Sequence, residues 1–433
     1  MTPRRKRLRI RRFEWDGTRP EAQAASIRKL APPLTEVTDD VSSIIADVGT
    51  RGDKAVRELT VLHDAVERPP KRLRVDESEI ERAAEELDAS LREPLEIAAR
   101  NIRLVAESKL DKRREVVELP EGHAVMSQQL PVRAAGVYAP GGRAAYPSSV
   151  LMCCVPARVA GVPRIAVASP PDPDGAVNPA VLAACAVAGA DEVYAMGGAQ
   201  AIAAFALGTA SVPRVDVVAG PGNRYVQEAK RQLSAVVGTD AVAGPTELMV
   251  IFDRNEDLEW IALDLCAQAE HGDDGLLVAA APGSALLEAL AERFAVLRRE
   301  RPSVLSSPLA LVEAPDVRAA GELADAIAPE HLELICSDAA MMAQFIGSAG
   351  SVFVGPFSGA AFGDYVAGSD HVLPTGGGGR FTGPLGPETF RKRTTIVHLD
   401  ADSAAALADP VDSLARAEGF PVHGESARAR ARR

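Results

Sequence analysis

The sequence predicts an α/β protein with two domains, each built on a parallel sheet. From residue 131 onwards, short β-branched runs alternate with Ala-rich runs of helical length, which is typical of strand–helix–strand units. The alternation forms two series that meet at Gly244-Pro245, so we expect one sheet from each series. The 433 residues, 47% of them hydrophobic, are enough for two or three domains with large cores.

The region before the first series is predicted to be helical and then extended. Residues 36–110 have helical periodicity, and Ser78 and Glu81 have the spacing of a capping box ahead of an amphipathic run. Residues 114–129 alternate apolar and polar side chains, which predicts a strand or a hairpin.

The two series divide into individual elements. The first is predicted to have strands at 164–169, 192–196 and 215–219, and helices at 179–188, 199–207 and 225–237. The second is predicted to have strands at 247–252, 276–280, 309–312, 331–336 and 351–354, and helices at 258–270, 284–299, 317–327 and 339–346. Residues 357–387 are rich in Gly and Pro, and an irregular segment of this length suggests function. A short helix is predicted at 403–417.

Charge is unevenly distributed along the chain. The formal net charge is −12, although residues 1–12 contain seven basic and no acidic residues, and residues 428–433 contain four Arg. The acidic remainder argues against a nucleic-acid-binding core. The basic ends could tether the protein to RNA or to a membrane, but we favour frayed, solvated termini.

Targeting and redox signals favour a cytoplasmic protein. No run of 18 apolar residues occurs, which predicts no transmembrane helix, and no apolar segment follows the first arginines, which argues against a secretory signal. The five Cys lie in apolar segments without a C-x-x-C pair, so we expect buried thiols in a reducing compartment.

Polar residues that can carry chemistry occur in four pairs. Gln268 and His271 lie three residues apart at a predicted helix end, where they could bind one cation or only cap the helix. Glu330 and His331 are adjacent bases of different pKa that suit sequential proton transfers, although a surface Glu beside a half-buried His is the simpler interpretation. The other two pairs are Asp364 with His371, in the irregular segment, and Glu418 with His423, near the C-terminus. The simpler interpretations are a solvated loop for the former pair and a disordered tail for the latter.

A glycine-rich segment, Gly220-Pro221-Gly222-Asn223, follows a predicted strand and opens a predicted helix. That context suits a phosphate group at a helix N-terminus. Tyr225 stands at the third glycine position of G-x-G-x-x-G, so the full dinucleotide motif is absent.

Taken together, these segments resemble the histidinol dehydrogenase family. The resemblance runs in order from about residue 36 to residue 423 and rests on eight motifs. They are Gly136-Val137-Tyr138-x-Pro-Gly-Gly, Gly197-Gly198-Ala199-Gln200-Ala201-Ile202-Ala203, Gly220-Pro221-Gly222-Asn223, Ala243-Gly244-Pro245-Thr246-Glu247, Gln268-Ala-Glu-His271-Gly, Pro329-Glu330-His331-Leu332, Gly363-Asp364-Tyr365 with Asp370-His371-Val-Leu-Pro-Thr, and Glu418 with His423.

The resemblance implies an active site that uses zinc and NAD. Glu330 and His331 would be the catalytic residues. One Zn²⁺ per subunit would be held by Gln268, His271, Asp364 and His423. The substrate would contact Thr246, His371 and Glu418 together with the catalytic residues and the zinc ligands. The residues that would hold NAD are Tyr138, Gln200 and Asn223.

The implied reaction is the four-electron oxidation of L-histidinol to L-histidine through L-histidinaldehyde with two NAD⁺, the last step of histidine biosynthesis. His331 would take the alcohol proton and serve again as the base in the second hydride transfer. Glu330 would activate the water that hydrates the aldehyde. The zinc would fix the amine and imidazole nitrogens of the substrate, acting as a template.

The resemblance also implies a fold and an assembly. The fold is two incomplete Rossmann-like α/β domains with small helical N- and C-terminal extensions, and the assembly is a homodimer with shared active sites. No nucleic acid or membrane partner is expected. The expected parts are a basic arm at 1–32, a first domain with the zinc and catalytic residues at 33–137 and 246–385, an NAD-binding domain at 138–245, and an extension exchanged with the partner at 386–433.

Three other functions stay open on the sequence. A related zinc/NAD alcohol dehydrogenase could act on another substrate, such as a sulfopropanediol, although the Glu418 carboxylate would repel a sulfonate. A non-catalytic zinc- or nucleotide-binding homologue should lack Glu330, His331 or a ligand, and all are present. A zinc hydrolase would leave the Gly-Pro-Gly-Asn helix start unexplained.

Overall fold

The computed structural model describes residues 9–31, 37–64, 66–67, 70, 72–110, 114–141, 144–241 and 244–431. These residues form two compact units. The first unit falls within Met1–Ser108 and Arg133–Phe390, and the second within Lys109–Val132 and Arg391–Arg433. Residues 1–8 and 432–433 of the basic ends, with Gly142 and Ala243 of the family motifs, lie outside the described residues.

Strands and helices alternate along the chain as the sequence predicts. The described strands are β1 (Ile10–Glu14), β2 (Glu115–Glu118), β3 (Ala124–Pro131), β4 (Ala134–Tyr138), β5 (Arg164–Ser169), β6 (Glu192–Ala195), β7 (Val217–Ala219), β8 (Gly238–Thr239), β9 (Glu247–Phe252), β10 (Leu276–Ala281), β11 (Leu309–Glu313), β12 (His331–Ile335), β13 (Ser351–Val354) and β14 (Arg391–His398). The described helices are α1 (Pro20–Arg28), α2 (Thr38–Arg51), α3 (Asp53–His63), α4 (Glu77–Glu85), α5 (Ala89–Lys109), α6 (Pro147–Val159), α7 (Pro179–Ala188), α8 (Gly198–Leu207), α9 (Arg224–Leu233), α10 (Leu258–Ala269), α11 (Ser284–Glu300), α12 (Val317–Ile327), α13 (Ala339–Met342), α14 (Ala360–Tyr365), α15 (Ala401–Ala417) and α16 (Pro421–Arg430).

The larger sheet of the first unit has six strands in the order β1-β11-β10-β9-β12-β13, and every neighbouring pair is parallel. Both of its faces are covered, which explains why β9 and β10 are apolar throughout rather than alternating. Leu248 and Val250 face α10 and α11, whereas Met249 and Ile251 face α1 and α12. Hydrophobic burial on both faces makes this sheet a rigid base for side chains at its edges.

The smaller sheet of the first unit has five parallel strands in the order β6-β5-β4-β7-β8. β4 is first in the chain and central in the sheet, so the strand order reverses between β4 and β7. In such doubly wound sheets, ligands bind outside the carboxyl ends of the strands at this reversal. The two parallel sheets confirm the predicted α/β class.

The second unit is a three-stranded antiparallel sheet, in the order β14-β3-β2, with the helices α15 and α16. A capping box of Asp400 and Ser403 begins α15. β2 and β3 correspond to the hairpin predicted at 114–129, whereas β14 and α16 are elements that the pattern did not predict. Several large apolar side chains of this unit are exposed in the single chain. They include Val116, Val117, Ile396, Val397, Leu414, Phe420 and Val422.

The expectation of frayed basic ends is wrong for the part that the structure describes. Ile10–Glu14 form β1, which pairs with β11, because apolar side chains at positions 10 and 13 pack on the sheet. Arg12 forms an exposed ion pair with Glu288, and Arg428 in α16 lies 2.9 Å from Asp412. The arm also contains α1, which the sequence analysis did not predict.

The capping box expected at Ser78 and Glu81 is wrong, because α4 already begins at Glu77 and Ser78 lies inside it. Further expectations concern cysteines and membrane helices. All five cysteines are free and buried, as expected. Among the described residues, no helix is long and apolar enough to span a bilayer.

Candidate active site

Glu330 and His331 lie at the amino-terminal edge of the larger sheet. After α12, Ala328 adopts a left-handed conformation with φ of +49° and Pro329 follows, so the chain turns directly into β12. His331 is the first residue of β12, which pairs with β9 and β13. Because neighbouring parallel strands begin at the same edge, the pair lies beside Thr246, which directly precedes β9.

The Glu330 carboxylate is buried, with 8% of the residue exposed, and two donors hold it. Its Oε2 accepts hydrogen bonds from the Thr246 hydroxyl and from the backbone N–H of Glu247, the latter at 2.8 Å. Burial raises the pKa of Glu330 to about 7, although His331 and the two hydrogen bonds act in the opposite direction. A carboxyl group with this pKa can exchange a proton near neutral pH, as a general acid or base must.

The His331 imidazole lies between two acceptors. Nδ1–H donates to the Glu247 carbonyl and Nε2–H to Asp364 Oδ1, both at 3.2 Å. A carbonyl and an ionised carboxylate only accept, so the ring carries both protons here. Burial by itself lowers the pKa of His331, but the carboxylates of Glu330 and Asp364 outweigh burial and raise it to about 9. The ring also stacks on Phe353, with centroids 6.0 Å apart.

Three of the four expected metal ligands belong to the first unit, and Asp364 among them contacts His331 directly. Gln268 Nε2 donates to the Thr246 hydroxyl, which leaves Oε1 as the atom that can ligate a cation. His271 is exposed to solvent, but protein surrounds much of its ring. Burial therefore lowers the pKa of His271, although Asp364 acts in the opposite direction. Burial raises the pKa of Asp364, but the hydrogen bond and charge of His331 outweigh it, so the net pKa is lowered and the carboxylate is ionised.

This donor set fits zinc in kind. A neutral imidazole, an ionised carboxylate and an amide oxygen are all groups that can ligate zinc or a similar cation. Within the described ranges, no group of three or more His, Cys, Asp or Glu side chains is arranged as a cation site. That finding does not include the amide of Gln268, and the fourth expected ligand, His423, belongs to the second unit. His423 and Glu418 are both exposed there, at the start of α16 and at the end of α15.

His371 connects the two sheets of the first unit at this site. Its Nδ1–H donates to the Asp364 carbonyl at 2.8 Å, and its Nε2 lies 3.0 Å from the Ser149 hydroxyl on α6. Burial lowers the pKa of His371, although the Asp364 backbone and carboxylate act in the opposite direction. The neutral ring has its proton on Nδ1, so Nε2 accepts from Ser149. Ser149 follows β4 of the smaller sheet, so this contact brings the smaller sheet's first helix to the edge of the catalytic cluster.

A second polar cluster lies at the carboxyl edge of the smaller sheet. Tyr138, the last residue of β4, accepts a hydrogen bond from the Gly198 N–H at the start of α8, 3.1 Å away. Gln200 Nε2 donates to Asp64 at 3.4 Å. Burial raises the pKa of Asp64 to about 7, although a hydrogen bond from the Gly197 N–H lowers it. Two of the three expected NAD-binding residues therefore lie at the first turn of α8, since Gln200 belongs to that turn and Tyr138 contacts it.

The Gly220–Asn223 segment begins directly after β7, which is the neighbour of β4. Gly220 has φ of +120°, and a Cβ there would lie 2.2 Å from the Tyr138 carbonyl oxygen, so only glycine fits. The Asn223 side chain caps α9 by accepting hydrogen bonds from the backbone N–H groups of Tyr225 and Val226. Tyr138 and Gly220 thus meet at the point where the strand order reverses.

Several residues at these two clusters escaped the sequence analysis. Apart from Glu247, each is a single charged or polar side chain outside the family motifs. They are Arg28, Asp64, Ser149, Lys230, Asp240 and Glu247. The sequence signal for Glu247 is its place beside Thr246 in the Ala243–Glu247 motif, whereas Arg28 has no such signal.

Comparison with known proteins identifies the family of the chain. A sequence model of the histidinol dehydrogenase family matches residues 29–431. The histidinol dehydrogenase of Ruegeria pomeroyi is 44% identical over 396 residues, which cover 90% of this chain and 91% of that protein. The histidinol dehydrogenase of Haloarcula marismortui is 44% identical over 404 residues, covering 91% and 93%. The crystal structure of histidinol dehydrogenase from Elizabethkingia anophelis matches with a TM-score of 0.87 and 28% identity, covering 98% of both chains. The chain belongs to the histidinol dehydrogenase family.

Proposed function

We propose that this chain oxidises L-histidinol to L-histidine through L-histidinaldehyde, reducing two NAD⁺ and using one Zn²⁺ per subunit. The observation that carries the proposal is the cluster of Glu330, His331 and Asp364, in which a carboxyl group and an imidazole with shifted pKa values lie beside a potential cation ligand. Two oxidation steps need two different proton transfers, and this pair supplies two different groups for them.

His331 is the proposed base for both hydride transfers, acting at Nε2. In the structure Nε2 donates to Asp364, and this contact helps to keep the ring protonated. If Asp364 ligates a cation, its carboxylate is no longer a free acceptor for His331, and its contribution to the raised pKa falls. Nε2 then faces the substrate as an acceptor, while Nδ1–H stays on the Glu247 carbonyl and fixes the ring.

Glu330 is the proposed base that activates water for hydration of the aldehyde. Its Oε2 already has two donors, Thr246 and the Glu247 N–H, so Oε1 is the oxygen that can take a proton from water. The pKa near 7 lets this carboxyl group accept that proton and release it again at neutral pH.

The proposed zinc ligands are Gln268 Oε1, His271 and Asp364, with His423 from the second unit of a partner subunit. A zinc ion bound there would supply a positive anchor for the amine and imidazole nitrogens of the substrate. The neutral His371 ring and the carboxylate of Glu418 would contact the remaining polar groups of the substrate. Thr246 links Gln268 to Glu330 by hydrogen bonds, which couples the ligand set to the base.

NAD is proposed to bind at the carboxyl edge of the smaller sheet, against Tyr138, Gln200 and Asn223. The strand-order reversal between β4 and β7 and the Gly220–Asn223 turn at the start of α9 support this location. The contact between Ser149 and His371 supports hydride transfer between the two domains, because it connects the smaller sheet's first helix to the catalytic cluster.

The test is NADH formation from L-histidinol, measured by absorbance with and without a chelator that removes zinc. We expect turnover that stops on chelation and returns with added Zn²⁺, and two NADH per histidinol consumed. Sulfopropanediol is the comparison substrate. Turnover of sulfopropanediol but not of L-histidinol would overturn the substrate assignment. If the zinc-loaded protein turns over neither substrate, a non-catalytic role is favoured.

A further inference from the structure

Arg28 is the last residue of α1 in the N-terminal arm, yet its guanidinium reaches the larger sheet. Its Nη1 donates to Glu247 Oε1 at 2.7 Å, and its Nη2 lies 3.3 Å from Glu247 Oε2. This is a two-pronged ion pair in which 22% of the Arg28 side chain and 5% of the Glu247 side chain are exposed. The planar guanidinium matches the carboxylate geometry, which a lysine ammonium cannot do.

The other edge of the same guanidinium holds the end of α12. Nε donates to the Ile327 carbonyl at 3.1 Å and Nη2 lies 3.3 Å from the Ala328 carbonyl. Ala328 is one of two described residues other than glycine with a positive φ. The last carbonyls of a helix lack partners within the helix, and a cation there satisfies them. Arg28 therefore secures the turn that directly precedes Pro329 and Glu330.

Glu247 connects this clamp to both catalytic residues. Its backbone N–H donates to Glu330 Oε2 at 2.8 Å, and its carbonyl accepts from His331 Nδ1 at 3.2 Å. Its side chain also accepts from the Gly376 N–H at 3.2 Å, in the irregular segment after β13. Arg28 thus contacts the residue whose backbone orients Glu330 and His331, and it contacts the turn from which they emerge.

We propose that Arg28 is a positioning residue for Glu330 and His331. It touches neither side chain, and it acts through Glu247 and through the turn at Ala328. The effect on turnover rests on the proposed function, whereas the effect on the mobility of residues 327–331 does not. Misplacement of reacting groups by about 1 Å can cost on the order of 100-fold in rate, so a distant clamp can control turnover.

The experiment compares Arg28→Ala and Arg28→Lys with the control Arg12→Ala. Arg12 lies on the same arm, and its ion pair with Glu288 is exposed. We expect kcat for L-histidinol to fall by about 10- to 100-fold in Arg28→Ala, with the KM for NAD and the zinc content unchanged. Guanidinium ion at millimolar concentration should restore part of kcat in Arg28→Ala, and Arg28→Lys should retain an intermediate kcat. Arg12→Ala should behave as the unmodified protein.

Hydrogen exchange measured by mass spectrometry supplies the second readout. Amides of residues 327–331 should exchange faster in Arg28→Ala, while those of β5 and β6 should not change. Unchanged kcat and unchanged exchange in folded Arg28→Ala would overturn the proposal. A kcat loss without guanidinium rescue, accompanied by faster exchange throughout the first unit, would mean general destabilisation and would also overturn it. If histidinol is not turned over by the unmodified protein, the proposed function fails, and the exchange result alone decides the role of Arg28.

Discussion

Glu330 and His331 are adjacent in the chain, yet their side chains meet different surroundings. Glu330 is surrounded by donors and by protein that excludes water, so burial dominates and the pKa is raised to about 7. His331 contacts two carboxylates, which outweigh its burial and raise its pKa to about 9. The difference comes from the partners of each group, since Glu330 lies in the turn before β12 against backbone and hydroxyl donors, whereas His331 begins β12 next to Asp364. The Pro329–Leu332 motif indicates the pair but not these different environments, since Asp364 comes from a distant helix.

Glu330→Gln should slow oxidation of L-histidinaldehyde more than oxidation of L-histidinol to the aldehyde. Glutamine keeps an oxygen that can accept from Thr246 and Glu247, so the local fold should persist, but it cannot take a proton from water. We expect a loss of about 100-fold or more in the aldehyde step and a smaller loss in the alcohol step. Single-turnover NADH formation from each substrate, supplied separately, measures both. Equal losses in the two steps would contradict the assigned role.

A second acidic pair, Asp264 and Glu333, lies beside the site and affects how the stability of the protein depends on pH. Glu333 is fully buried, and its Oε1 accepts a hydrogen bond of 2.8 Å from the Ala360 N–H. Ala360 is the first residue of α14, the helix that carries Asp364. Burial raises the pKa of both carboxyl groups. The charge of Asp264 raises the pKa of Glu333 further, whereas the hydrogen bond with Glu333 acts to lower the pKa of Asp264. The folded protein therefore binds more protons than the unfolded chain above the ordinary carboxyl range. Its stability falls as pH rises from that range through the raised pKa values.

Glu333→Gln should raise the unfolding temperature at alkaline pH. The amide keeps the acceptor for Ala360 and offers a donor to Asp264 without a buried charge. We expect a gain of a few degrees in Tm at about pH 9 that shrinks towards about pH 5, measured by calorimetry. Glu228→Gln is the control with opposite sign, because the Arg231 hydrogen bond lowers the pKa of Glu228 to about 2. That variant should lose stability at neutral pH, and a pH-independent Tm difference for Glu333→Gln would contradict the linkage argument.

Among elements, the Gly220–Asn223 turn is held by a buried ion pair. Lys230 Nζ donates to the Gly220 carbonyl at 2.5 Å and to Asp240 Oδ1 at 2.7 Å, and Asp240 Oδ2 accepts the Gly220 N–H at 2.8 Å. Both polar groups of the Gly220 backbone are therefore fixed by one pair that is almost fully buried. Because this turn opens α9 at the strand-order reversal, its geometry should decide how well a dinucleotide binds.

Asp240→Asn and Lys230→Met should raise the KM for NAD by about tenfold, which corresponds to about 1.4 kcal/mol, while the KM for L-histidinol changes little. Lys230→Met leaves a buried carboxylate without its partner and should also lower Tm, so Asp240→Asn is the milder test. Arg231→Met, on the next residue of α9, removes an exposed cation and serves as the control. Initial rates with varied NAD measure the effect. An unchanged KM for NAD in folded Asp240→Asn would contradict this role.

Strands and helices were predictable from the sequence where one face or both faces carry a regular pattern of apolar side chains. The strands Arg164–Ser169 and Glu247–Phe252 have their predicted bounds because burial along their length makes them apolar, and the helix Val317–Ile327 has its predicted bounds because it buries one regular face. β1 and β14 were missed because each lies at a sheet edge and reads IRRFE or RKRTTIVH, where charged side chains face solvent. α1 was missed because its helical stripe is short, with only Ala24 and Ile27 buried.

At the scale of the whole molecule, the site draws on distant segments of the chain. Motifs identified Glu330, His331, Gln268 and Asp364 because each stands in a short, recognisable string, and the family assignment is confirmed. Contacts such as that of Ser149 with His371 span 222 residues and depend on how two sheets pack, which no local pattern encodes. The assignment of parts to domains and the roles of individual site residues stay predictions.

The second unit bears on assembly through its surface. Leu414 and Val422 are 66% and 69% exposed in the single chain, in the same unit as the exposed His423 and Glu418. A small unit with this much exposed apolar surface is typical of one covered in an assembly. A homodimer with shared sites would cover it and would bring His423 to the ligand set of the partner. In such a dimer, each site combines His331 of one subunit with His423 of the other.

Co-expression of a His331→Ala chain with a His423→Ala chain, each with its own tag, tests this arrangement. In a mixed dimer with shared sites, one site carries both changes and the other carries neither, so one site per dimer is intact. With random pairing about half of the dimers are mixed, and the preparation should recover about a quarter of the unmodified activity. His331→Ala combined with Glu330→Gln is the matched control, because both changes then fall on the same side of a site and no intact site forms. Recovery of activity in the first pairing and not in the second requires exchange of the C-terminal unit, whereas inactivity of both purified mixed dimers would mean that each subunit completes its own site.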